Sequence, residues 1–108
     1  MRRPVRIVAV DSLESLNLIN VIIDNTSDFH LVNEYTELDK ALKLISRDLP
    51  DIFLVDINHR NFRSPVSISS IKAKLPYVEV IALSDEVSDV LVKDCFSNGA
   101  SGFIEKKS

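Results

Sequence analysis

The chain has a single cysteine in 108 residues. No internal disulfide can form, and a reducing cytoplasm is the natural setting. Only two glycines are present, so no glycine-rich phosphate loop is available. No apolar run is long enough to span a bilayer. Met1-Arg2-Arg3 leads straight into a short strand-like segment, not into the apolar stretch of a signal peptide. Positive charge is not in excess. The net charge is −3, which argues against this segment gripping nucleic acid by itself. Histidine and cysteine do not recur at metal-ligand spacing, so a zinc site is not expected. Repeats, low-complexity tracts and internal boundaries are lacking too. What remains is one globular domain, 45% hydrophobic and 27% charged, outside the range of disordered chains.

The pattern along the chain alternates between strand and helix. Val5 to Val10 reads as a strand, and a helical stripe of Leu18, Ile19, Ile22 and Ile23 follows. Phe29 to Val32 reads as a short second strand, with His30 at an edge. Thr36 can cap the next helix with Asp39 as partner. That helix buries Leu38, Ala41, Leu42 and Ile45. Ile52-Phe53-Leu54-Val55 is a fully apolar strand. Residues 58–65 form a polar loop in which His59 is solvent-exposed. A short helix over residues 67–75 stops at Pro76. Val78 to Leu83 is a fourth strand. A helix with Val87, Val90, Leu91 and Cys95 ends near Asn98-Gly99, with Cys95 in the core. Gly102-Phe103-Ile104 is a fifth strand. Strict alternation with short links implies a doubly wound parallel sheet.

Asp11, Asp56 and Ser84 each follow a strand, so all three fall on the carboxyl edge, where open α/β sheets bind ligands. Alone, Asp56 reads as a cap or a solvated strand end, and Ser84 as a helix cap. Together they read as a site.

Over Val5 to Lys106 the sequence resembles the receiver domain of two-component response regulators. The subtype is similar to the NarL/FixJ group, whose members carry a LuxR-type DNA-binding domain. The resemblance rests on Asp11, on residues Pro50 to Asn58, on Ser84 and on Gly99 to Lys106. It implies a flavodoxin-like, CheY-like five-stranded sheet of order 2-1-3-4-5, with residues 1–108 forming a receiver domain truncated before its fifth helix. It implies Asp56 as phosphoacceptor, Ser84 as the hydroxyl that contacts the phosphoryl group, and Lys106 as the site lysine. Asp11, Asp56 and the backbone carbonyl of Asn58 would hold Mg²⁺. Ser84 and Phe103 would form the switch. No enzyme activity of its own is implied. The partners implied are a sensor histidine kinase and a second copy of the chain. DNA would be bound only through an output domain outside the chain, and no membrane is implied.

The acidic pocket departs from the family pattern. Two acids usually follow the first strand, and here there is one. Aligned on the strand, Asp11 is the first acid and Ser12 replaces the second. Aligned without gaps through Asp56, Asp11 is the second and Val10 replaces the first. The gapless alignment is preferred because it also buries the Leu18, Ile19, Ile22 and Ile23 stripe. Asp85 stands where a small residue is usual, and its carboxylate should repel phosphate. His59-Arg60-Asn61-Phe62 replaces the usual turn, Lys107 follows the lysine where many members have proline, and Phe103 lacks a hydroxyl. Without a fifth helix, one sheet face should lose cover, which favours dimerisation. The competing expectation is a pseudo-receiver, an interaction and dimerisation module with no phosphotransfer.

Overall fold

The structure is a computed structural model and describes residues 3–58 and 65–106. The expectations for His59-Arg60-Asn61-Phe62 and for Lys107 lie outside those residues. The order is β1 (Val5–Val10), α1 (Leu13–Asp24), β2 (Phe29–Tyr35), α2 (Leu38–Asp48), β3 (Ile52–Asp56), α3 (Val66–Lys74), β4 (Glu79–Ser84), α4 (Asp89–Ser97) and β5 (Gly102–Glu105). Short runs rich in Val and Ile form β1, β3 and β4, and the polar link after each leads into a helix. All neighbouring strands pair in parallel, in the order β2-β1-β3-β4-β5. This is the doubly wound parallel sheet expected from the alternation, in the flavodoxin-like order that the family resemblance implies, with four helices among the described residues.

Alternate side chains of a strand face opposite sides, so one face can hold the core. Val8, Val10, Phe53, Val55, Val80 and Ala82 line that face and pack under Ala41 and Ile45 of α2, Ile68 and Ile71 of α3, and Cys95 of α4. The placement of Cys95 in the core is as expected. Ser12 caps α1 by accepting from the Ser15 N–H, and Ser88 caps α4 by accepting from the Leu91 N–H. After α4 the chain turns at Gly99, whose φ of 110° suits glycine.

The other face is met by α1, and here the expected stripe is only half right. Ile23 is buried and Ile19 half-buried, but Leu18 and Ile22 are each 62% exposed. Leu16 is the buried anchor instead. The reason is cover. Helical spacing sets which residues share a face, but among the described residues nothing packs over the flank that Ile22 shares with Leu54, Leu83 and Ile104. These side chains line an apolar groove of about 430 Å³.

Three further expectations are corrected. Glu37, not Thr36, stands at the start of α2, and it makes no side-chain cap bond. The chain runs extended to Tyr35, and the buried Leu38 anchors the helix start beyond the reach of Thr36. β2 is longer than its apolar part because Asn33 and Glu34 pair with Val8 and Ala9, and an edge strand tolerates polar side chains. Val87 precedes α4 and Val90 is 70% exposed, because α4 turns Leu91 and Cys95 inward.

Candidate functional site

Parallel strands bring the residues that follow them to one edge. β1 delivers Asp11, β3 delivers Asp56, β4 delivers Ser84 and β5 leads into Lys106. Backbone bonds fix these ends. The Asp11 N–H donates to the Tyr35 carbonyl at 3.1 Å, and the Lys106 N–H donates to the Ser84 carbonyl at 2.7 Å. The Ile57 N–H donates to the Leu83 carbonyl at 2.9 Å.

The Lys106 ammonium joins the two carboxylates. Its Nζ donates to Asp56 Oδ2 at 2.9 Å, and to Asp11 Oδ2 and Oδ1 at 3.1 and 3.2 Å. A further bond goes to Ser15 Oγ at 3.2 Å. The Asp11 side chain is fully buried, that of Asp56 is 8% exposed and that of Lys106 is 23% exposed. Each carboxylate also takes a backbone donor. Ser12 N–H bonds Asp11 Oδ1 and Asn58 N–H bonds Asp56 Oδ1, both at 2.7 Å. Charged groups this poorly solvated persist only when paired and hydrogen-bonded, and these are.

The two carboxyls titrate as a linked pair with opposite tendencies. Burial pushes Asp11 up, and its contact with Asp56 adds to that against the pull of Ser12 N–H and Lys106. Burial also works to raise Asp56, but bonds with Asp11, Lys106 and Asn58 outweigh it and hold the carboxyl below its ordinary value. Asp11 is thus the carboxyl held above its ordinary value and Asp56 the one held below it. Burial opposes the charge of Lys106, but Asp56 and Asp11 hold its ammonium above the ordinary lysine value. An ionised, positioned carboxylate is the form an oxygen nucleophile needs.

Ser84 is fully buried beside this group. Its hydroxyl lies 3.0 Å from Asn58 Oδ1 and 2.6 Å from the Glu86 carbonyl, and it accepts the Glu86 N–H at 3.0 Å. It is not the cap of α4, which is Ser88. Asn58 Oδ1 also accepts the Asp85 N–H at 2.6 Å. Phe103 is half-buried on β5 and packs against the core. Val10 is buried, Ser12 is exposed and serves as the cap of α1, and the Asp85 side chain is exposed. The structure thus brings Asp11, Asp56 and Lys106 into contact and sets the Ser84–Asn58 pair alongside.

Among the described residues no three His, Cys, Asp or Glu side chains group to hold a metal ion. Two carboxylates that share one ammonium still suit Mg²⁺, which keeps several waters and takes one or two carboxylates with a carbonyl. Asp11, Asp56 and the Asn58 carbonyl are the oxygen groups at this edge that could supply such a set. Sequence reasoning missed Ser15 and the Asn58 side chain. Ser15 had a weak cue in its position one turn into α1. The Asn58 carboxamide had none.

The sequence profile of the response regulator receiver domain matches residues 7–108, so the chain belongs to that family. No curated protein sequence matches the chain. Among solved structures, the response regulator domain of Thermotoga maritima CheB is 27% identical, with a TM-score of 0.85, over 96% of this chain and 79% of that one. A LuxR-family two-component response regulator from Aurantimonas sp. is 20% identical, with a TM-score of 0.88, over 97% of this chain and 76% of that one. A Borrelia burgdorferi CheX–CheY–BeF3–Mg complex contains a match that is 24% identical, with a TM-score of 0.87, over 97% of this chain and 80% of that one. No helix among the described residues is long and apolar enough to cross a membrane.

Proposed function

We propose that this receiver accepts a phosphoryl group on Asp56 and passes the change to a dimer partner or to a LuxR-type output domain. One observation carries the reading. A single ammonium, Lys106, touches both Asp11 and Asp56 at the carboxyl edge. That is the charge arrangement needed by an anionic nucleophile meeting an anionic phosphoryl donor.

In the transfer, an Asp56 carboxylate oxygen attacks phosphorus. The bond from phosphorus to the donor breaks, whether to a kinase histidine nitrogen or to the oxygen of a small acyl phosphate. An acyl phosphate is left on Asp56. The chemistry is mostly alignment and charge neutralisation. Lys106 supplies a fixed positive charge to the phosphoryl oxygens as a point charge. Mg²⁺, held by Asp11, Asp56 and the Asn58 carbonyl, would add further neutralisation. With one acid fewer than is usual after β1, these residues would hold it more weakly than the usual pocket does. Ser84 then donates its hydroxyl to a phosphoryl oxygen and draws the link after β4 inward. Phe103 follows by repacking, since it has no hydroxyl to offer. The exposed Asp85 carboxylate slows the approach of the donor.

The likeness to LuxR-family regulators supports a NarL/FixJ-like subtype, in which DNA is contacted by an output domain and not by this segment. The donor would be a sensor histidine kinase. The apolar flank of Leu18, Val21, Ile22 and Ile104 supports self-association, because patches of this kind mark contact surfaces. The test is to incubate the chain with Mg²⁺ and acetyl phosphate and weigh it intact. One phosphoryl adduct, lost in Asp56→Asn, is the expected result. Absence of any adduct at saturating donor would leave the pseudo-receiver, a phosphorylation-independent interaction module.

A further inference from the structure

We infer that the Asn58 carboxamide is a latch that holds the Ser84 hydroxyl and the link after β4 away from the phosphoacceptor. The inference rests on the phosphoacceptor reading, and it assigns to the Asn58 side chain a role separate from that of its backbone carbonyl. Asn58 lies two residues beyond Asp56, on the turn that follows β3. Sheet order sets that turn against the end of β4. Asn58 Oδ1 spans the gap and accepts from Ser84 Oγ at 3.0 Å and from the Asp85 N–H at 2.6 Å. One oxygen thus gathers two donors from two successive residues of the facing link.

The Ser84 hydroxyl has one proton to give. It lies within reach of two acceptors, Asn58 Oδ1 and the Glu86 carbonyl at 2.6 Å. Its oxygen also accepts the Glu86 N–H. To donate to a phosphoryl oxygen on Asp56, the hydroxyl must leave both acceptors. If the link moves with it, Asp85 N–H must leave Asn58 as well. Asn58 is therefore a positioning residue that opposes the switched arrangement and does not touch the transferred group. The residue sits on the surface while Ser84 is fully buried. The carboxamide can therefore be removed without opening the core.

The test compares the full chain with Asn58→Ala, Asn58→Ser and Asn58→Asp. The first two remove the reach of the acceptor, and Asp keeps an oxygen at the same place. Beryllofluoride with Mg²⁺ is the phosphoryl mimic, followed by ¹H–¹⁵N spectra. Amide hydrogen exchange is read at Asp85, with Val80 as a core reference. Loss of a typical hydrogen bond predicts Asp85 exchange and beryllofluoride affinity each raised about 2- to 10-fold in Asn58→Ala and Asn58→Ser, with Val80 unchanged. Asn58→Asp keeps Asp85 protected. If the wild type binds beryllofluoride and both latch-free variants bind it no more tightly, the latch is overturned alone. Unchanged Asp85 exchange in both variants also overturns it. If no form binds beryllofluoride, the phosphoacceptor reading falls, and the latch falls with it.

Discussion

Replacing Lys106 with Met keeps the length of the side chain and removes its charge. Two poorly solvated carboxylates then face each other with only the backbone N–H donors of Ser12 and Asn58. Lys106 Nζ sits 2.9 Å from Asp56 and 3.1 Å from Asp11, and the three side chains are 23%, 8% and 0% exposed respectively. Removing one partner from an ion pair this buried costs about 3–5 kcal/mol, because the charges left behind are uncompensated. A domain of this size has about 5–15 kcal/mol to lose, so the effect is large but measurable. The loss depends on pH, and the sign follows from the carboxyls. Burial already pushes Asp11 up and Lys106 pulls against it, so without the ammonium the pair takes up its first proton more readily. The folded variant then binds more protons than the unfolded chain, and its stability falls as pH rises. Between pH 7 and pH 5 one shared proton can recover at most about 2.7 kcal/mol, at about 1.36 kcal/mol per pH unit. Urea unfolding followed by far-UV circular dichroism at both pH values reads the difference. Adding Asp11→Asn to Lys106→Met should restore part of the loss at pH 7, which a double-mutant cycle measures. A Lys106→Met chain within about 1 kcal/mol of wild type at pH 7 would refute the reasoning. So would a deficit that does not shrink at pH 5.

Tyr35 OH donates to the buried Asp48 carboxylate at 2.5 Å; burial and then Asp48 push the tyrosine pKa up to about 12. Tyr35→Phe should cost about 1–3 kcal/mol in urea unfolding by leaving Asp48 short of a donor, and an unchanged midpoint would contradict that. Asp51 accepts the Arg6 N–H at 2.8 Å, and this bond is first among the causes that hold its carboxyl below the ordinary 3.8. Its contribution is present above that value and is lost as pH falls through the folded-state pKa. Asp51→Asn should therefore flatten the acid limb of a stability–pH curve, and an unchanged limb would count against it. Glu in place of both Leu18 and Ile22 should convert a self-associating chain to monomer in sedimentation velocity. A wild type that is monomeric at high concentration would remove the proposed dimer.

The sequence carried the sheet well, because β1, β3 and β4 are short apolar runs rich in Val and Ile and polar links follow them. Strict alternation makes the carboxyl edge follow, so Asp11, Asp56 and Ser84 could be placed together from the sequence, and the family resemblance added Lys106. The errors have a common origin. Helical spacing told which side chains of α1 share a stripe, but not that Ile22 would overhang an uncovered flank. The preference for the gapless alignment leaned on that stripe, and the exposure of Leu18 and Ile22 removes this support. The contact of Lys106 with Asp11 now places Asp11 in the pocket independently. Long-range polar pairs were also invisible. Tyr35 and Asp48 meet across β2 and α2, and Asn58 meets Ser84 because β3 and β4 are neighbours. Neither pairing leaves a periodic trace in the chain.

The central claim is that Asp56 forms an acyl phosphate. Treating the chain with Mg²⁺ and acetyl phosphate, trapping with borohydride and mapping the peptides tests it most directly. Borohydride reduces an aspartyl phosphate to homoserine, which marks the residue by mass. Homoserine at position 56, absent without Mg²⁺ or without donor, is the result predicted. An unmodified Asp56 at saturating donor, or homoserine at Asp11 or Asp85 instead, would contradict the account.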